Sequence, residues 1–201
     1  HGADALFAGM IYTWKDSANA DLVANHQAPN NTAPSVLTTN LPFIGGVAST
    51  TMTLYKVETL PSIKIFDSQT TPNSGTSGNS VAVGAGSAII YKISAKTFPG
   101  NVAIADGTHL SADQAGRFSI DVKAYDVSAN LRAGEPGIWL DAVPQSGPLL
   151  PAPLQNSFRS TSGANGGVLV NLSSNSDSLS NVWYGVPQEV KFTLSNSSGT
   201  V

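Results

Sequence analysis

The chain has 201 residues, no cysteine, a formal net charge of −3 and only 11% charged residues. That length suits one generous domain or two small ones, and it can bury a core without cross-links. Disulfides, thiolate metal sites and a cysteine nucleophile are excluded, and the slightly acidic balance lacks the basic excess of a nucleic-acid binder. Polarity rests instead on 25 Ser, 16 Thr and 15 Asn beside 19 Gly. An ordinary soluble domain has roughly 25% charged residues, so this composition points to a secreted β-protein. No apolar run reaches the roughly 18 residues of a membrane helix, and no membrane span is expected. The first residue is His rather than Met, which reads as a processed mature form or a trimmed chain.

Residues 3–14, ADALFAGMIYTW, are apolar on both alternating sets and predict a strand buried on two faces. Residues 15–35 read as a long polar loop. Strands are predicted over 50–57 and 61–67, with Ile63 and Ile65 on one face, followed by a surface loop over 68–80. Residues 87–98 predict a long strand with Ile89, Tyr91, Ile93 and Ala95 facing in. Residues 117–127 give the cleanest alternation, with Phe118, Ile120, Val122 and Ala124 inward. A sheet with one wet face is antiparallel. A short strand follows at 137–143. Pro144, Pro148, Pro151 and Pro153 then open a stretch, 144–166, that is either a linker or a long functional loop. The core resumes at 167–172 and closes over 182–194, where Val190, Phe192 and Leu194 alternate with polar residues. Residues 195–201 read as a linker end. About nine strands with turn signals between them predict a single domain, 1–201, folded as an all-β, immunoglobulin-like antiparallel β-sandwich.

The chain carries no Gly-x-Ser-x-Gly elbow, no His-Glu-x-x-His and no complete dinucleotide-binding glycine loop. No catalytic residue is assigned. Aromatic side chains are the candidates for ligand contact. Trp139 lies two residues from Asp141, and Trp183 and Tyr184 follow Asn181. Such rings can stack on sugar faces while the adjacent Asp or Asn holds hydroxyls. The competing reading is that a Trp in a sandwich strand belongs to the core.

The segment Phe7-Ala8-Gly9-Met10-Ile11 resembles the first strand of chaperone–usher fimbrial subunits. The closing stretch Trp183-Tyr184-Gly185-Val186-Pro187, with Val190-Lys191-Phe192, resembles the end of the cysteine-free K88-type subunits. The resemblance covers about 25 residues at the two ends. It implies a secreted sandwich that lacks one strand and receives it from a neighbour, with Phe7, Gly9 and Ile11 as strand-pairing residues and Phe7 and Ile11 buried. The implied partners are neighbouring fimbrial subunits, a periplasmic chaperone and, for a tip adhesin, a host glycan. No cofactor is implied. Six residues precede Phe7, fewer than the usual donor extension, which suits a tip subunit.

The His1-Gly2 start resembles a second family, the lytic polysaccharide monooxygenases. There the terminal amine and imidazole hold copper together with a second histidine, because imidazole suits copper. On that alternative the ligands are His1 with His26 or His109, and the protein is an enzyme. A third alternative is a carbohydrate-binding module. The sequence leads to a non-enzymatic fimbrial subunit or tip adhesin domain, displayed at the cell surface.

Overall fold

The computed structural model describes residues 10–36, 41, 43–132, 137–148, 154–155, 167–172, 176–196 and 199–200. Apart from two short helical turns, every regular element among them is a strand, and every strand pairing is antiparallel. No helix among the described residues is long and apolar enough to cross a membrane. The all-β expectation holds. The chain groups into two compact units, His1–Gly86 with Ser128–Asn130, and Ser87–Val127 with Leu131–Val201.

The first unit is built from small sheets. Strand β1 (Thr13–Asp16) pairs with β5 (Ile63–Phe66), which also pairs with β6 (Ser74–Thr76). Strands β2 (Ser35–Val36) and β3 (Met52–Thr53) form one pair, and β4 (Glu58–Leu60) and β7 (Val81–Val83) another. One helical turn, α1 (Leu22–Asn25), is capped by Asp21, whose carboxylate accepts from the Ala24 N–H at 2.8 Å. This turn points Leu22 into full burial, with Tyr12, Ala28, Leu41 and Leu60 also buried in the unit. Asn130 belongs here too. Its amide donates to the Tyr55 carbonyl at 2.7 Å and its side-chain oxygen accepts from the Val57 N–H at 3.0 Å.

Several expectations for this region change. The strand predicted over 3–14 begins only at Thr13 in the described residues, and Ile11 ahead of it is 55% exposed rather than buried. Phe7 and Gly9 lie outside the described residues. The loop predicted over 15–35 contains α1. The loop predicted over 68–80 contains β6, which is exposed throughout and gave no apolar signal.

The second unit is a sandwich. One sheet runs β11-β13-β9-β8, from Leu154–Gln155, Ser176–Tyr184, Phe118–Tyr125 and Ile90–Thr97. The other runs β12-β10-β14-β15, from Val168–Val170, Ile138–Pro144, Val190–Asn196 and Gly199–Thr200. Strand β9 lies between β8 and β13, while β10 lies beside β14, which lies beside β15. These neighbours reproduce the A-B-E and C-F-G pairings of an immunoglobulin sandwich.

Alternation drives the packing. Phe118, Ile120, Val122 and Ala124 project from β9 and are at most 3% exposed. Ile138, Leu140 and Ala142 of β10 complete the same core with Val168, Val170, Leu172, Leu179, Val182, Tyr184 and Leu194. Burying one such side chain stabilises the fold by about 1.5–3 kcal/mol relative to exposure. The sequence reading missed most of β13, because Ser176–Asn181 is dominated by Ser, Asp and Asn. A bulge between Leu179 and Val182 also breaks its period of two. Ile89, expected to face in, is 60% exposed and precedes β8.

These burials separate two isoleucines that the sequence treats alike. Ile120→Ala is expected to lower unfolding free energy by about 2–5 kcal/mol, since it empties a fully buried site. Ile11→Ala is expected to change it by less than about 0.5 kcal/mol. Denaturant titration of both variants reads the difference; equal losses would contradict the placement of the core.

Candidate functional site

The sandwich core is sealed unequally. At its centre, Ile120, Val122, Leu140 and Leu172 are fully buried. Along the side bordered by β8 and β14, Ala88, Tyr91, Ile93, Val190 and Phe192 pack against that core yet stay only partly buried. The two strands belong to opposite sheets and approach one another. Phe192 meets Phe118 edge to face, with ring centroids 5.9 Å apart, so the apolar surface runs continuously from the buried centre to the flank.

The backbone along this flank is also incompletely covered. Strand β14 pairs with β10 from Val190 through Ser195, but on its other side β15 matches only Ser195 and Asn196. Beside Val190–Leu194 no further strand lies among the described residues. Strand β8 forms the edge of its sheet, and its outer side is met near its end, where the Ile104 N–H donates to the Ala95 carbonyl at 2.9 Å and the Thr97 N–H to the Val102 carbonyl at 2.8 Å. An edge of unpaired N–H and C=O groups beside apolar side chains is a template for another strand. Lysines sit at the outward positions: Lys92 lies over the Tyr125 ring at 5.0 Å, and Lys96 pairs with Asp121 at 3.3 Å. The sequence placed Tyr91 and Ile93 inward and set Val190 and Phe192 in alternation with polar residues, while Ala88 was not marked. It could not show that they lie at the sheet margins, because strand order is not written in local alternation.

The ligand-contact candidates are divided between the two sheets. Trp139 and Asp141 lie on β10, on the face opposite the core residues Leu140 and Ala142. Asp141 is 1% exposed, and Ser195 Oγ donates to its Oδ2 at 2.6 Å. A Cβ on Gly167 would stand 2.0 Å from Asp141 Oδ1 and 3.1 Å from Trp139 Cβ, so only glycine allows the backbone this close. Asp141 is thus packed within its surroundings. The Trp139 indole N–H is buried with no hydrogen-bond acceptor among the described residues.

Asn181, Trp183 and Tyr184 lie on β13, in the other sheet. Asn181 occupies the bulge with φ of 58° and accepts from Arg117 at 3.3 Å. Trp183 is half-buried opposite Gln155. Tyr184 is 8% exposed and belongs to the core, with its hydroxyl accepting from the Gln188 side-chain amide. The bulge moves it there, shifting the alternation so that Val182 and Tyr184 face in and Trp183 faces out.

The histidines do not converge on a described site. His1 lies outside the described residues, and His109 is exposed in a loop. His26, at the end of α1, is held between two carboxylates. Its Nε2 lies 3.0 Å from Asp16 Oδ2 and its Nδ1 2.9 Å from Glu58 Oε1, while Lys56 pairs with Glu58 at 3.0 Å. Both ring nitrogens are therefore turned toward carboxylate oxygens of the surrounding chain. Among the described residues no three His, Asp or Glu side chains are placed so as to hold a metal ion. Neither Asp16 nor Glu58 was marked by any sequence motif.

Known proteins add no further constraint: no family model, no curated protein and no solved structure matches this chain.

The His26 contact sets a pH dependence. Its hydrogen bond, followed by the backbone bond from Ala20, lowers the Asp16 pKa below the usual carboxylate range. A depressed folded-state pKa contributes stability that is present above the unfolded value and lost as pH falls through the folded one. His26→Ala should therefore raise the Asp16 pKa toward the ordinary range. A ¹³C titration of the Asp16 carboxyl carbon checks this; an unchanged midpoint would show that His26 does not set the shift.

Proposed function

We propose that this protein is a non-enzymatic subunit of a secreted, fimbria-like assembly, joined to its neighbours by strand addition along the flank between β8 and β14. The observation that carries this reading is the row of partly buried Ala88, Tyr91, Ile93, Val190 and Phe192 beside the incompletely paired edge of β14. An extended segment from a neighbouring subunit would place alternate side chains against this row. Its backbone would bond to the open edge. Hydrophobic burial then supplies affinity and the backbone ladder supplies register.

The composition fits that setting. With charged residues at 11%, a Ser/Thr/Asn-rich surface keeps the chain polar while raising few long-range repulsions between stacked copies. The likeness of Phe7 to Ile11 to a fimbrial first strand is used differently from the sequence expectation. Ile11 belongs to the first unit and is exposed, so the accepting groove is assigned to β8 and β14 of the second. A chaperone that shields this flank during export and a glycan recognised at the assembled surface are parts of the same proposal.

The test is self-association of the intact chain from low to high micromolar concentration, followed by sedimentation and hydrogen exchange. Oligomers are expected, with the amides of residues 190–194 gaining protection as they form. Phe192→Lys and Val190→Lys should remain monomeric while keeping the wild-type near-ultraviolet circular dichroism. A chain that stays monomeric throughout, or oligomers in which those amides exchange unchanged, would overturn the reading.

A further inference from the structure

The register of the second unit assembles a charged surface on the side of the β11-β13-β9-β8 sheet that turns away from the core. Residues directly opposite one another on neighbouring strands share a face. Ser176, Lys123 and Lys92 therefore form one row across β13, β9 and β8, and Ser178, Asp121 and Ser94 form the next. Ser119 and Lys96 follow. Arg117, with extended backbone two residues before Ser119, continues the same alternation, and its guanidinium lies 5.7 Å from the Phe98 ring centroid. Lys92, Ser94, Lys123, Ser176 and Ser178 are exposed.

The charges on this face are one-sided. Lys92, Lys96, Lys123 and Arg117 lie here, out of 10 Lys and Arg in the whole chain. Asp121 is the acidic side chain that the register places among them; Asp177 opposes Val122 and so belongs to the other face. Four cations and one carboxylate leave a local charge of +3 on a chain whose formal net charge is −3. Lys96 pairs with Asp121 at 3.3 Å. Lys123 has no ion pair among the described residues.

The row of Lys123 and Lys92 calls for a reason. Like charges directly opposite destabilise a strand pair, with Cβ atoms only about 4.5–5.5 Å apart. The other facing lysines, Lys15 and Lys64, are relieved within the fold, since Lys64 Nζ donates to the Ser17 carbonyl and to Asn19 Oδ1, each at 2.8 Å. Lysine on β8 also guards an edge strand against unwanted pairing. Neither account covers Lys123, because β9 is paired on both sides. Serines hold the neighbouring outward positions, and a serine here would have avoided the repulsion. An anion seated between the two ammonium groups turns that repulsion into attraction.

Spacing sets the class of anion. Lys92 and Lys96 are four residues apart on β8, about 13 Å at roughly 3.3 Å per residue, whereas Lys123 stands one strand, about 4.8 Å, from Lys92. A small anion reaches one row only. A linear polyanion reaches both, and the exposed Lys96–Asp121 pair gives way to it at little cost. Between the cationic rows lie Ser94 and Ser178, whose hydroxyls can both donate and accept. They suit a polymer that carries hydroxyls between its charges. Single-stranded nucleic acid asks instead for open rings on which bases stack. The rings at the two ends of this face, Tyr125 and Phe98, each lie under a cation, Lys92 at 5.0 Å and Arg117 at 5.7 Å.

We propose that this sheet face binds an acidic polysaccharide, with Lys92, Lys96, Lys123 and Arg117 meeting its anionic groups and the serines its hydroxyls. This deepens the glycan recognition proposed above and rests on it, while strand addition along β14 is independent.

Fluorescein-labelled dextran sulfate, polygalacturonate and neutral dextran, each titrated with the intact chain and followed by anisotropy, test it. An acidic polymer is expected to bind at low salt and neutral dextran not to bind. Lys92→Ser combined with Lys123→Ser should weaken binding at least about tenfold and lower the salt slope by about two, one for each lysine. Lys123→Ser alone should lower the slope by about one. Both variants should keep the wild-type denaturation midpoint or exceed it, because a like-charge pair is gone. Lys191→Ser, in the other sheet, should bind as the wild type does. Binding of dextran sulfate alone identifies sulfate as the recognised group, and binding of polygalacturonate alone identifies carboxylate. Dextran bound as tightly as the acidic polymers overturns the charged site and leaves glycan recognition standing; binding of none of the three overturns both. An oligothymidylate bound more tightly than either acidic polymer, or as large a loss in Lys191→Ser as in the double variant, would also overturn the proposal.

Discussion

Strands β9 and β10 belong to opposite sheets and their apolar rows meet in one core, and the burial of those rows is the interaction from which the second unit is organised. Each supplies inward side chains that are almost wholly excluded from water, and each is flanked on both sides by partner strands. The pairings of β8 and β13 to β9, and of β12 and β14 to β10, extend this core outward. Exclusion weakens in the same direction. A sandwich made of two open sheets has margins where side chains face the core but water still reaches them. Among the described residues no strand lies beside Val190–Leu194 opposite β10, and this makes the β8–β14 side chemically different from the rest.

The parts legible in the sequence were those where independent physical signals agreed. Strand β9 was readable because strict alternation, one wet face and a clean turn all agreed. Strand β6 was unreadable because its pairing with β5 is a backbone affair, with Ser, Gly and Thr contributing no apolar signal. Strand β13 failed for a different reason: its bulge shifts the phase of alternation partway along. The long apolar segment at 3–14 misled in the opposite direction, since apolar content alone does not require burial and Ile11 faces solvent. Among the candidate site residues, chemistry was recognisable but proximity was not. Trp139 and Trp183 looked equivalent, yet they belong to different sheets.

A chain so poor in charge uses its few carboxylates conservatively. Asp16 is tied to backbone amides and His26, Asp67 to four neutral N–H groups, and Asp141 to Ser195. In each case hydrogen bonds offset the cost of taking a carboxyl group out of water. The three differ in what remains. Asp16 shares its charge with an imidazole. Asp141 sits in a space so tight that glycine is required beside it. Asp67 gathers the N–H groups of Gln69 and Asn73 and holds the turn between β5 and β6.

The bulge at Asn181 bears on which aromatic side chain the protein presents. Asn181 adopts a left-handed backbone, a conformation that asparagine tolerates and β-branched residues resist. Were residues 179–184 to pair without the bulge, inside and outside would exchange from residue 181 onward. The Trp183 indole would then claim the interior place of the Tyr184 phenol, and that phenol would turn to the surface. A single torsion thus acts as a parity bit for the end of the strand. Substitutions at position 181 would be expected to change the chemical character of that outer face.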